Sequence, residues 1–508
     1  MTILLRNLRV PFEHDTGALA QFAADALGVE AAAIRHVDIH RRSLDCRGPL
    51  TTEYTLRLDL DDELERRLAE ERPHDVVPFA PEPLDDIAPT PRHLPDAPPV
   101  VVGAGPAGLF AAWELARRGY RPLVVERGRP VADRRRDVKR FVDEGALDPE
   151  SNAVFGEGGA GTFSDGKLTA RSKDPLTRRV LEVLVEYGAP GDILIDARPH
   201  VGTDRLGGVI GAMRASIESM GAEVRFASRL EDIEIGDAGV QAVTVAGERI
   251  ETSAVVLATG SSAEDVFDLL LRRGVRLEPR PFQMGVRIEH PQATIDKARH
   301  RRHAGHPALP PADYQVTARS KPHPVYSFCM CPGGEVMCSS HVEGRLCTNG
   351  MSYHTRAGRF ANSALVYTAT PDAGHPMSGI AMRRRMEQAA WAAAGGAFRA
   401  VAQRAGDLLA GRPSRGSIET SYWFETVPGD VSAYLPAEFV TSLKSALKTF
   451  DAKLRGFVGE GVLIGFEGRA SCPVRVVRGE DRMSVSTPGL YPAGEGAGYA
   501  GGIVSSAV

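Results

Sequence analysis

The chain has 508 residues, 43% hydrophobic and 25% charged, and 61 basic against 65 acidic residues leave a formal net charge of −4. That length exceeds one ordinary domain of roughly 100–200 residues, and the near-neutral balance gives no basic field to draw nucleic acid. No apolar run reaches a membrane span, acidic residues interrupt the N-terminus before a signal-peptide core can form, and six cysteines make no disulfide framework, so a cytoplasmic protein is expected.

In chain order, residues 1–72 are expected to form a small ferredoxin-like α/β domain. The alternation from Ile3 to Val10 predicts a strand, 16–27 a helix, 34–44 and 54–60 two further strands, and 62–71 a charged helix. Its arginines are not interleaved with an aromatic stacking pair, which argues against RNA. Residues 73–99 read as a stiff linker, because eight prolines among positions 78–99 exclude helix and central strand.

Residues 100–280 open with the strand Val100-Val101-Val102, then Gly103-Ala104-Gly105-Pro106-Ala107-Gly108, a helix over 109–119, and a second strand, Leu123-Val124-Val125, ending in Glu126. Strand, glycine turn, helix, strand and acid in that order predict a dinucleotide-binding βαβ unit. Gly103 permits the turn, Gly105 lets a pyrophosphate approach the backbone, and Gly108 lets helix and strand pack closely. The helix N-terminus offers N–H groups to phosphate, and Glu126 can accept from a ribose diol. The bare G-x-G-x-x-G pattern recurs at 156–161, without a leading strand or following helix, and at 496–501, without the full βαβ context.

Residues 281–463 are assigned to a substrate domain. Strand-like runs at 284–288, 325–330, 335–339 and 364–368 suggest an antiparallel or mixed sheet, capped by helices at 379–410 and 436–450. Residues 464–508 return to the dinucleotide domain. The expected architecture is therefore a Rossmann-like α/β domain built from two segments, with an inserted α+β domain and a small α/β domain in front.

The stretch VVVGAGPAGLFAAWELARRGYRPLVVERG (100–128) resembles the FAD-binding start of glutathione-reductase-type flavoproteins. NAVFGEGGAGTFSDGKL (152–168), PFQMGVRIEHPQ (281–292), YSFCMCPGGEV (326–336), TNGMSYHTR (348–356) and YPAGEGAGYAGGIVSSA (491–507) extend that resemblance to bacterial FAD-dependent dehydrogenases, related to geranylgeranyl reductases and aminoacetone-oxidase-like flavoproteins. The resemblance implies FAD as cofactor and hydride transfer between flavin N5 and a small organic substrate, and leaves NAD(P)H open as a transient electron donor. A monooxygenase or oxidase using oxygen, and a non-catalytic flavin- or partner-binding protein, are the alternatives.

It also implies a cofactor-binding set. Beyond the glycine turn, Glu126 and Arg127 lie at the ribose end, Leu230 near the adenine, and Ala258, Thr259 and Gly260 where the chain passes the cofactor. Gly494 and Glu495 meet the ribityl or pyrophosphate linker, and Ala500, Gly501, Gly502 and Ile503 bring backbone N–H groups toward the flavin. The chain stops at Val508, inside the first turn of the helix these would begin. Gly159, Ala160, Gly161 and Thr162 belong to a loop flexible enough to face an aromatic ring system, with Glu157, Ser164, Asp165 and Lys167 as its polar heads. Lys167 either lies near flavin N5 or balances the reduced flavin's charge, although Asp165 and Lys167 also read as turn residues. One of Arg134, Arg135, Arg136, Lys139 and Arg140 is expected at the pyrophosphate.

His290, Tyr326, His341, His354 and Tyr422 are candidate proton-transfer groups, and Asn349 with His354 is the preferred catalytic pair. No metal site is expected. The cysteines at 329, 331, 338 and 347 lack zinc or thioredoxin spacing; alternation in a strand would turn Cys329 and Cys331 to one face, as inert or as reactive thiols. His300, His303 and His306 sit among arginines that repel a metal cation, and read as a mobile surface loop or an anion-recognition loop.

Overall fold

The computed structural model describes residues 2–80, 95–169 and 174–508. The N-terminal unit is an antiparallel sheet of Thr2–Pro11, His36–Asp45, Thr51–Asp59 and Val76–Phe79 in the order second, third, first, fourth, covered by helices Leu19–Leu27 and Asp62–Glu71. Its fourth strand lies past the expected boundary at 72: Thr2 to Leu5 pair antiparallel with Phe79 to Val76. Pro78 is tolerated because this is an edge strand, where a missing N–H leaves no ladder bond broken. Of the rest of the expected linker, residues 81–94 lie outside the described residues, and 95–99 lead into the strand Val100–Val102.

This unit is docked on the remainder of the molecule. Arg42 N donates to Ile195 O at 2.8 Å, Ala197 N donates to Arg42 O at 2.9 Å, and the Arg42 guanidinium meets Asp196 at 2.5 Å. Phe12 stands edge-on to His303 and His306, with ring centroids 5.0 and 5.2 Å away. The histidine segment is thus a packing surface for the N-terminal unit, correcting the expectation of a free surface loop.

The dinucleotide domain has a five-stranded parallel sheet in the order Leu490–Pro492, Val255–Leu257, Val100–Val102, Leu123–Val125, Glu223–Arg225. Its central strands are short and wholly apolar because both faces are covered. Helices Pro106–Arg117, Leu176–Glu186, Thr203–Ser219 and Ile503–Ala507 contribute to one core. The antiparallel strands Leu230–Gly236 and Gly239–Val245 and the helix Glu264–Arg272 contribute to the other.

The inserted domain is a seven-stranded mixed sheet: Thr317–Ala318, Val325–Cys331, Phe360–Ala369, Phe282–Pro291, Val462–Glu467, Ala400–Arg404 and Thr426–Pro428 in spatial order, the last pair parallel. Val462–Glu467 runs beside Phe282–Pro291, so the sheet continues past the expected boundary at 463. The expected helix over 379–410 is three elements, a helix, a strand and the short helix Ala405–Leu409. Helix Ser378–Ala393 ends before Gly395 and Gly396, both at positive φ (71° and 79°), and the chain re-enters the sheet as Ala400–Arg404. The domain leaves and rejoins its host through one antiparallel ribbon, with Leu277 opposite Val476 and Pro279 opposite Val474.

Candidate FAD and substrate site

A cavity of about 1300 Å³ runs from the glycine turn at 103–107 to the strand Val325–Cys331 of the inserted domain. Three glycines explain the turn. Gly103 has φ +104°, and a Cβ there would lie 2.5 Å from Ala258 O of the neighbouring strand's turn. A Cβ on Gly108 would collide with Gly103 O, so this glycine holds helix against strand and lies behind the cavity wall. Gly105 precedes the helix with Pro106 at its first position, leaving first-turn N–H groups facing the cavity end. Opposite, Gly159 has φ +60°, and a Cβ on it would stand 3.2 Å from Gly105 Cα. Two backbones converge here to leave a groove that side chains would fill.

Most of the expected cofactor residues share this wall: Gly103, Gly105, Pro106, Ala107, Glu126, Arg127, Gly159, Ala160, Gly161, Leu230, Ala258, Thr259, Gly260, Gly494, Glu495, Ala500, Gly501, Gly502 and Ile503. Thr162 does not reach it; its Oγ1 donates to Glu157 O and its carbonyl accepts from Thr203 Oγ1, which fastens the loop from behind. Glu126 accepts from Ala104 N at 2.8 Å, Gly128 N at 2.9 Å and Gly156 N at 3.0 Å. A carboxylate has about four lone-pair sites, so one remains for a ribose hydroxyl where two bonds were expected. Arg127 is held bidentately by Glu150 and by Asp265, over the Phe155 ring. Glu495 accepts from Ser261 Oγ at 2.6 Å, and burial raises its pKa.

None of the five basic candidates on the helix Val131–Glu144 lines the cavity. Arg134 is fully buried and donates to the carbonyls of Asn152, Glu157 and Gly159, so it props the loop from beneath; burial pulls its pKa down to about 10. Arg135 donates to Thr203 O and Asp204 O, while Arg136, Lys139 and Arg140 pair with acids of their own helix. Glu157 also turns away, accepting from Val131 N and from Arg214. The helix binds its own loop because its buried face carries Arg134.

At the other end stand Lys167 and Asn349. The Lys167 side chain is 32% exposed, opening to the cavity; its ammonium lies 3.3 Å from Asp165 and donates to Met330 O. Burial works against this charge, but Asp165 outweighs it and raises the pKa. Burial likewise opposes the Asp165 carboxylate, and Lys167 and Arg356 overcome it to hold the pKa low. Arg356 Nη2 reaches Asp165 at 2.6 Å, and Ser352 Oγ also donates to it.

Asn349 and His354 are not paired. His354 stacks on His200 and is tied to Val201 O and Asp204, away from the cavity lining. Within the 348–356 motif Asn349 lines the cavity, and Arg356, two residues past His354, bonds the lining residue Asp165 from behind; only its charge marked it in the sequence. Of the other proton-transfer candidates, Tyr326 lines the cavity. His290 Nε2 bonds Phe457 O in the core, Tyr422 donates to Phe398 O, and His341 receives Arg469.

Three segments match known families. Residues 281–470 match the FAD-dependent protein C-terminal domain-like family, residues 98–270 match pyridine nucleotide-disulphide oxidoreductase, and residues 2–61 match a domain of unknown function. An uncharacterised protein of Clostridium beijerinckii is 40% identical over 519 positions, which take in 100% of this chain and 97% of its own. The chain belongs to the NAD(P)/FAD-dependent oxidoreductase family. This FAD-dependent oxidoreductase is also similar, at low identity, to solved structures. Glycine oxidase from Geobacillus kaustophilus is 14% identical with a TM-score of 0.34, covering 81% of this chain and 91% of its own. CtdE in complex with FAD is 11% identical with a TM-score of 0.30, covering 79% and 78%. The cofactor of the family, FAD, fits the residues present: the Gly105–Gly159 groove meets the helix N-terminus, and the acids Glu126 and Glu495 stand in the long cavity that starts there. No helix among the described residues is long and apolar enough to cross a membrane.

Proposed function

We propose that the protein is an FAD-dependent dehydrogenase or reductase acting on a small organic molecule bound against the inserted sheet. The observation that carries this reading is the single cavity itself: a dinucleotide cradle forms one end, and Tyr326, Phe328, Lys167 and Asn349 form the other. Bound FAD supplies the group that accepts or donates a hydride. The helix N-terminus at Gly105 and Pro106 holds pyrophosphate, Glu126 takes one ribose hydroxyl, and Glu495 with Ser261 holds the linker. Lys167, kept charged by Asp165, stabilises negative charge on an oxygen at the reacting end. Asn349 Oδ1 is occupied by Gly350 N and Arg287, which leaves its side-chain N–H groups to orient a substrate. NAD(P)H enters, on this reading, as a transient donor.

The test is the visible absorption spectrum of the purified protein, recorded anaerobically before and after NADPH and then candidate substrates. A flavin spectrum bleached by NADPH or by a substrate, with slow re-oxidation in air, is the expected result. Rapid oxygen consumption with substrate hydroxylation would replace this reading by a monooxygenase, and a flavin that no donor reduces would remove it.

A further inference from the structure

The strand Val325–Cys331 carries a β-bulge: its register with Phe360–Ala369 slips between Phe328 and Cys331, and Cys329 has φ +47°. The bulge breaks the alternation that would have turned both sulfurs to one face, so Cys329 lines the cavity while Cys331 is sealed at 0% exposure. It also gives two successive carbonyls to two cations. Cys329 O accepts from Arg287 Nη2 at 3.0 Å, and Met330 O accepts from the Lys167 ammonium. Bulges re-aim groups in this way beside functional sites.

The two cations differ in what neutralises them. Arg287 is wholly buried and has a carboxylate of its own, Glu467, at 2.6 Å. Lys167 has only a share of one. Arg356 holds Asp165 bidentately, with Nε 3.2 Å and Nη2 2.6 Å away, and Ser352 Oγ donates to it as well. Lys167 stands 3.3 Å from the oxygen that Arg356 Nη2 already takes. Other charges on the lining are matched elsewhere: Arg198 pairs with Asp313, and Arg469 with Glu387. Lys167 and Arg356 therefore share one carboxylate, and of the two only Lys167 lines the cavity, so the surplus positive charge is presented there. An uncompensated charge in a buried setting is costly.

The groups beside it are hydrogen-bond donors. Asn349 Oδ1 is taken by Gly350 N and by Arg287, which leaves the amide N–H groups, and the Tyr326 hydroxyl meets no partner among the described residues. We propose that this end of the cavity is a carboxylate subsite: the small organic substrate carries a carboxylate, seated on the Lys167 ammonium and completed by the Asn349 amide and the Tyr326 hydroxyl. Hydrogen bonds from an ammonium to a carboxylate are about twice as strong as neutral ones, so the anionic oxygens go to Lys167 and the carbon skeleton to Phe328, which shares the wall. Negative charge on the reduced cofactor would balance Lys167 for only part of a turnover; a carboxylate balances it from the moment the substrate binds.

That the carboxylate belongs to a substrate rests on the dehydrogenase reading above; the subsite itself rests on the pairing of charges. Calorimetric titration of the full-length, FAD-bound protein with acetate, butyrate and benzoate, each beside its uncharged amide, tests it. Each acid is expected to bind about 10–100-fold more tightly than its amide, the size of one hydrogen bond to a charged group. Lys167→Met is expected to abolish that preference and Lys167→Arg to keep most of it. In Asn349→Asp both bonds to Oδ1 survive while the donor is replaced by negative charge, so the acids are expected to weaken about 10–100-fold and the amides little. Acids that do not bind, that bind no better than their amides, or that keep their preference in Lys167→Met would overturn the subsite. Acids preferred by a protein whose flavin no donor reduces would strike the dehydrogenase reading alone, and a flavin bleached by substrate without any preference for acids would strike the subsite alone.

Discussion

Glu289 lies on the central strand Phe282–Pro291 at 1% exposure, accepting from Ser421 N at 2.9 Å and from Ser421 Oγ. Burial outweighs those bonds and the pull of Arg287, and raises its pKa from 4.5 to about 7. A carboxyl raised on folding contributes stability that is fully present below about pH 4.5 and is lost as pH climbs through about 7. The gap corresponds to about 3 kcal/mol, at about 1.36 kcal/mol per pH unit. In Glu289→Gln the amide oxygen can still accept from Ser421 N, and the NH2 can donate to Ser421 Oγ, so the neutral state is mimicked without losing partners. The variant is therefore expected to lie within about 1 kcal/mol of the parent at pH 5 and to exceed it by about 3 kcal/mol at pH 8. For a domain of roughly 150–250 residues that is a Tm difference of about 6–12 °C. Scanning calorimetry of both proteins from pH 5 to 8.5 is the assay. Melting profiles that stay parallel across that range would refute the reasoning.

Gly103→Ala adds a Cβ 2.5 Å from Ala258 O at φ +104°, so the purified variant is expected to carry little flavin, read as the ratio of visible to ultraviolet absorbance. Lys167→Met should retain flavin while turnover falls about 10²-fold, the usual cost of removing one electrostatic contact to developing charge; unchanged kcat would remove Lys167 from the reacting end. Glu264 takes Arg345, Arg383 and Arg384 at 2.6–2.9 Å, joining the dinucleotide domain to the inserted one. Burial opposes its charge, but the arginines, Arg383 foremost, hold its pKa low, so its contribution is present above about pH 4.5 and lost as pH falls below that. Glu264→Gln is expected to cost about 3–5 kcal/mol at pH 7, seen as an early thermal transition in calorimetry.

The dinucleotide cradle was legible because its chemistry is local: Gly103, Gly105, Gly108 and Glu126 are each set by backbone geometry within one short βαβ unit. The Glu495 and Ala500–Ile503 segments, far along the chain, reached the same cavity because a parallel strand, Leu490–Pro492, delivers them. The reacting end was less legible because it depends on pairings across the fold. Nothing near His354 in sequence shows that the ring packs on His200, or that Arg356 passes it to reach Asp165. The bulge at Cys329 was equally hidden, since alternation is the default reading of any strand. Arg134 misled for another reason: a basic run after the acid-bearing strand suggests a phosphate contact, yet its first member is wholly buried under the loop it supports.

The ribbon that pairs Pro279 with Val474 has an evolutionary reading. Because the inserted domain starts and finishes at neighbouring positions, it behaves like a cassette with a single socket. A lineage could exchange the residues between those two points, and with them the wall that meets substrate, while the glycine cradle on the other side stayed in place. Selection on what the enzyme transforms and selection on how it holds its cofactor would then act on separable stretches of one gene.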